Sequence, residues 1–260
     1  MRYWNAKKIL RGKEVPVVVY TMAKVASTSI YRSILSKTSI PTFHIHSLDS
    51  EKIVESIELC KENDLVPDSR SPGDLIYAKI KRDAPIKIIT CVREPIARNL
   101  SAFFEAFQFH TQCNPRTWKG ETQDLEDIFY NKMNHDLPIQ WFDDEFLRML
   151  GFDIYSIPFQ TNKKYQLYKY NNIEILLLRT DLANTEKEKI INLFIEPNKI
   201  FLNNYNEGKN KIYATLYRDF RNEISLKYSY QEKLLQSKYT QHFYSHKEID
   251  SLYKKYSKNK

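Results

Sequence analysis

The chain has 260 residues, 42% hydrophobic and 28% charged, with a net charge of +8 and a pI near 9.1. That balance excludes a disordered chain and fits one globular domain with a sizeable core, whose basic charge suits an anionic partner: a nucleotide, a nucleic acid, an acidic glycan or a membrane surface. Cys60, Cys91 and Cys113 form no C-x-x-C pair, which argues against a disulfide framework and a structural zinc site and fits a reducing cytosol.

In chain order, the run "VPVVVY" (15–20) is too short for a signal peptide and follows Glu14. It reads instead as a strand buried on both faces. A helix follows over Ser27–Lys37, then a short strand over 41–46 and a helix over Leu48–Lys61. The apolar run "IKIITCV" (86–92) predicts a third strand, followed by a helix over Pro95–Phe109. From about 111 to 165 the pattern changes to helices with intervening aromatics, as in "DLEDIFYNKM" and "LPIQWFDDEFLRML". This predicts a helical insertion over the sheet's carboxyl edge. "IEILLLR" (173–179) is the last expected strand; Leu182–Phe194 and the aromatic-rich chain beyond Ile212 are expected helices. Strand–helix alternation implies right-handed βαβ units. The expected fold is α/β: a P-loop-like, doubly wound parallel sheet flanked by helices, in one domain over 1–260. No run approaches the ~18 apolar residues of a membrane span, so a cytoplasmic protein is expected.

Two stretches carry chemistry. In "TMAKVASTS" (21–29) a strand gives way to a helix opening on Ser27, Thr28 and Ser29, with Lys24 three residues before the first hydroxyl. A helix N-terminus holds anions through unpaired N–H groups and its partial positive charge. Yet the five glycines (Gly12, Gly73, Gly120, Gly151 and Gly208) leave this loop without one. No G-x-x-x-x-G-K-[ST] or G-x-G-x-x-G exists, which excludes a standard NTPase and a dinucleotide-binding protein. In "TCVREPIARNLSAFFEAF" (90–107), Arg93 lies at a strand end, while Arg98 and Ser101 share a helix face. Two arginines and a serine there make a second anion site; the alternative is a helix salt bridge from Arg98 to Glu94 or Glu105.

Together, "AKVASTS" and "REPIARNLS" resemble the 5′-phosphosulfate loop and the 3′-phosphate motif of sulfotransferases that use 3′-phosphoadenosine 5′-phosphosulfate (PAPS). The likeness is greatest to carbohydrate sulfotransferases. The stretch "SKYTQHFYSHKEIDSLYKKY" is similar to the end of bacterial relatives labelled as capsular polysaccharide proteins. The resemblance implies a bacterial enzyme that binds PAPS and releases 3′-phosphoadenosine 5′-phosphate (PAP). It assigns the loop residues Lys24, Ala26, Ser27, Thr28 and Ser29 to the 5′ side, and Arg93 and Ser101 to the 3′-phosphate. Lys24 would also stabilise charge on the leaving phosphate. A basic loop closes over the nucleotide in such enzymes, which points to Lys209 and Lys211, and Arg179 ends the strand that meets the adenine. No metal is expected.

Sulfuryl transfer to a sugar hydroxyl needs a base. In "PTFHIHSLD" (41–49), His44 and His46 are two apart in a strand and point to one side. Imidazoles titrate near neutral pH, and uronyl-type 2-O-sulfotransferases carry a similar H-x-H with histidine as base. His46 is the first choice. A rival source is His135, Asp143, Asp144 and Glu145 around Trp141. The expected partner is a carbohydrate acceptor rather than a nucleic acid. The runners-up are a nucleotide or small-molecule kinase with a divergent phosphate loop, and a non-catalytic module binding an anionic ligand.

Overall fold

The computed structural model describes residues 3–63, 70–196, 200–203 and 211–257. In chain order the elements are α1 (Tyr3–Leu10), β1 (Val17–Tyr20), α2 (Ser27–Lys37), β2 (Thr42–Ile45), α3 (Ser50–Glu62), α4 (Gly73–Ile80) and β3 (Ile86–Val92). Then come α5 (Pro95–Glu105), α6 (Phe107–Thr111), α7 (Thr122–Lys132), α8 (Leu137–Trp141), a π-helix (Phe142–Leu150), β4 (Tyr165–Tyr170) and β5 (Ile173–Arg179). Helices α9 (Asn184–Phe194), α10 (Ala214–Glu223), α11 (Tyr228–Leu235), α12 (Lys238–Phe243) and α13 (His246–Tyr256) follow. The chain divides into two compact units, Met1–Val92 with Phe142–Tyr205, and Arg93–Trp141 with Asn206–Lys260.

The first unit is a mixed α/β body around a five-stranded sheet of order β2-β1-β3-β5-β4. All neighbours are parallel except β4 and β5. Every residue of β1 and nearly every residue of β3 and β5 is buried, which is why these strands read as unbroken apolar runs. The chain steps from β1 outward to β2 and then back across to β3. The switch point of the topology therefore lies at the carboxyl ends of β1 and β3, where open α/β sheets bind ligands.

The four expected strands are present, within two residues of their expected bounds. Edge strand β4 is an addition, in a stretch expected to end a helical insertion. Its side chains do not alternate cleanly between buried and exposed, so the period-2 signal is weak. The hairpin signal was there: Tyr170 pairs with Ile173 across a two-residue Asn171–Asn172 turn, and Asn171 has φ +50. Short helices α1 and α4 were not anticipated. The helix expected over Pro95–Phe109 breaks at Ala106 into α5 and α6.

The second unit is helical in its described residues. Its core is aromatic: Phe103, Phe104, Phe107, Phe129 and Phe220 are almost fully buried, with ring centroids 5.2–6.3 Å apart for the pairs along α5 and α6. The phenylalanine side of α5 packs within this helical unit, where Phe103 meets Phe129 and Phe220.

Candidate functional site

The loop after β1 owes its shape to two left-handed residues. Lys24 has φ +71 and Ala26 has φ +58, while Val25 between them is not left-handed. Neither is glycine, and each such conformation costs a non-glycine residue about 1–2 kcal/mol. Alternation of hand in successive residues turns backbone N–H groups toward one side, forming an anion-binding concavity. Ala26, not a serine, precedes the first turn of α2 and makes no side-chain cap. Ser27 is instead buried, with Oγ 2.9 Å from Nε2 of His44.

That contact joins the loop to β2. Val19 pairs with His44 in the parallel ladder, so the two strands end side by side. His44 and His46 point to the same side, their ring centroids 4.8 Å apart and nearly perpendicular, while Phe43 and Ile45 are buried on the other. Tyr31 of α2 stacks on His44 at 5.4 Å. Burial first, and then the His46 ring, push the His44 pKa down to about 3, so His44 is neutral at physiological pH. His46 is exposed, and its Nδ1 lies 2.6 Å from the Thr21 carbonyl. A carbonyl only accepts, so Nδ1 carries the proton and Nε2 the lone pair in neutral His46.

Both histidines line a cleft of about 530 Å³, together with Tyr31, Lys52, Ser56 and Arg70. The turn beyond His46 is held from below by Glu145 of the π-helix, 2% exposed. Its carboxylate accepts from Tyr20 Oη at 2.5 Å, Ser47 Oγ at 2.8 Å and the Leu48 N–H at 3.0 Å. Lys52 bridges to Asp144 at 2.9 Å on the rim. At Gly73, a Cβ would lie 2.0 Å from the Ser47 carbonyl oxygen, so the start of α4 abuts this turn without room for a side chain.

In the second unit, Arg93 is half-buried and Arg98 is 4% exposed. Burial lowers the Arg98 pKa to about 10, which leaves it charged at neutral pH. Arg98 Nη1 donates to Asn99 Oδ1 at 3.0 Å. Of the two acids named as alternative partners for Arg98, Glu94 accepts from Tyr256 and from Lys255 at 3.2 Å. Glu105 accepts from Tyr213 and from Lys211 at 3.3 Å. Ser101 lies one helical turn before Glu105 on α5, so Lys211 reaches the same helix. Lys209 lies outside the described residues.

Tyr239 of α12 clamps the backbone of Arg93: its Oη donates to the Arg93 carbonyl at 2.8 Å and accepts the Arg93 N–H at 3.2 Å. The carboxyl-terminal stretch quoted above therefore fixes the Arg93–Glu94 turn. Of the rival acid–base residues, His135 and Trp141 belong to the second unit and the three acids to the first. His135 Nε2 is 2.8 Å from the Phe129 carbonyl, and its ring lies 4.9 Å from Tyr230. Arg179 is buried and makes a two-pronged contact with Asp181, at 3.0 and 2.8 Å. Tyr239, Tyr256 and the positioning use of Glu145 left no local signal in the sequence, because their partners lie about a hundred or more positions away.

A family model described as NKWYS, "Putative capsular polysaccharide synthesis protein", matches residues 119–245. The match fits a function related to capsular polysaccharide. No curated protein and no solved structure matches the chain significantly. The matched segment contains Glu145, Lys211 and Tyr239, whereas Lys24, the two cleft histidines, Arg93 and Ser101 precede it. No helix among the described residues is long and apolar enough to cross a membrane.

Proposed function

We propose that the protein transfers the sulfuryl group of PAPS to a hydroxyl of a carbohydrate acceptor in capsular-polysaccharide metabolism. The observation that carries this reading is the Ser27–His44–His46 array. It links an uncapped helix start behind an alternating-hand loop to a histidine pair facing a sugar-sized cleft. An anion receptor and a proton acceptor on adjacent strand ends suit attack by a hydroxyl on a negatively charged donor.

The acceptor oxygen attacks sulfur while its proton passes to Nε2 of His46. The bond from sulfur to the phosphate oxygen breaks, and its electron pair leaves with PAP. The Thr21 carbonyl orients His46 and stabilises the imidazolium formed. Neutral His44 holds Ser27 without adding charge. Lys24 and the first-turn N–H groups of α2 offset charge developing on the leaving phosphate. In the second unit the resemblance assigns Arg93 and Ser101 to the 3′-phosphate, and the Tyr239 clamp holds the backbone from which Arg93 projects.

The test is transfer of radiolabelled sulfate from PAPS to a panel of capsular saccharides. His46→Ala is expected to lower turnover about 10²–10⁴-fold, abolish the acid limb of the pH–rate profile and leave PAP affinity intact. Lys24→Ala is expected to lower turnover about 10²–10³-fold. Near-normal turnover in both variants, with the acid limb retained, would sink the reading.

A further inference from the structure

The first unit presents a basic and aromatic surface that the reaction above does not use. Residues 3–13 read "YWNAKKILRGK", with four cations and no acid. On α1, Ala6 and Leu10 are buried, and the helix is pinned to α4. Tyr3 Oη donates to Asp74 at 2.6 Å, Lys79 Nζ donates to the Leu10 carbonyl at 3.1 Å, and Arg70 lies 5.0 Å over the Tyr3 ring. The opposite side faces outward. Trp4 is 75% exposed, with Lys7 Nζ 5.5 Å from its ring, and Lys8, Arg11 and Lys13 are exposed beside it. Lys81 and Arg82, just past α4, are exposed as well, and so are the acids Glu14 and Asp83.

We propose that this α1–α4 face docks on a bilayer surface rich in anionic phospholipid. Three observations select that occupant. The cations complement a negative headgroup layer, where each Lys or Arg strengthens binding about fivefold. An exposed indole flanked by lysines suits the boundary between headgroups and acyl chains better than it suits water. The face also adjoins the cleft: Arg70 packs over Tyr3 and lines the cleft with Pro72. Docking by α1 therefore brings the histidine cleft to the lipid surface, where a lipid-linked saccharide presents its sugar. The docking itself stands whether or not sulfuryl transfer is the reaction.

The test is co-sedimentation of the full chain with phosphatidylcholine vesicles and with equimolar phosphatidylcholine–phosphatidylglycerol vesicles, at low and physiological salt. Binding is expected on the anionic vesicles alone and weakens with salt. A Lys7→Glu/Lys8→Glu/Arg11→Glu variant is expected to bind on the order of 10²-fold more weakly. Trp4→Ala is expected to remove the blue shift of tryptophan emission on vesicle addition; circular dichroism and a thermal melt check that both variants fold. Equal binding to neutral vesicles, no binding to either, or full binding by the charge-reversed variant would overturn the proposal. So would a soluble polyanion such as heparin or single-stranded DNA binding through these residues while anionic vesicles do not.

Discussion

The half-buried His44 offers a quantitative test of the cleft. His44 has its pKa pushed from an ordinary 6.5 down to about 3, by burial and then by His46. A histidine depressed in the native state is neutral there, while the unfolded chain takes up a proton below pH 6.5. Stability is therefore fully present above pH 6.5 and is lost as pH falls toward 3, by up to about 1.4 kcal/mol per pH unit. Between pH 7.5 and pH 5 this single group removes about 2 kcal/mol. His44→Gln keeps a side chain able to meet Ser27 Oγ but does not titrate. Urea denaturation of both proteins at the two pH values gives the difference for His44 and its neighbour His46, because titrating groups remote from them, such as the half-buried His110 and His135, cancel in the comparison. The expected result is that the wild type loses about 2 kcal/mol more than His44→Gln. An equal loss would refute the neutral state of His44 in the folded protein.

Glu145→Ala strands three donors around a buried site and is expected to cost about 3–5 kcal/mol, against about 1.5–3 kcal/mol for Tyr20→Phe, both read by urea denaturation. A Glu145→Ala loss below about 1 kcal/mol would mean that the carboxylate does not hold the Ser47–Leu48 turn. Gly73→Ala drives a methyl group into the Ser47 carbonyl and is expected to cost about 1–3 kcal/mol; a neutral result would mean α4 does not abut the turn. Ala26→Gly relieves a left-handed residue and is expected to leave the protein as stable as before or about 1 kcal/mol more stable, where a helical alanine-to-glycine change would destabilise it. Arg93→Ala is expected to cost about 2–3 kcal/mol in PAP affinity by calorimetry, and Tyr239→Phe to weaken the same affinity by a smaller amount.

The parallel strands were legible because burial on both faces forces continuous apolar runs, and Ser27–Lys37 was legible down to its ends. The strand-end histidines could be paired on the period of two alone. What stayed hidden was set over long range. The bonds from Glu145 to Tyr20, Ser47 and Leu48, and from Tyr239 to Arg93, join residues about a hundred or more positions apart. Edge strand β4 was lost among aromatics, although its Asn171–Asn172 turn carried the signal. The Ser27–Thr28–Ser29 run pointed to a phosphate-binding loop, but the residue at the helix cap is Ala26. The left-handed Lys24 and Ala26, which no glycine announced, shape the concavity instead.

Isothermal titration with PAP and with ATP plus Mg²⁺, run in parallel on the same preparation, separates sulfuryl transfer from phosphoryl transfer. Tight, one-site binding of PAP and weak binding of ATP, which lacks the 3′-phosphate, are expected, with PAP affinity reduced in Arg93→Ala. Equal affinity for the two nucleotides, or a preference for ATP with Mg²⁺, would contradict sulfuryl transfer and favour a phosphoryl-transferring enzyme.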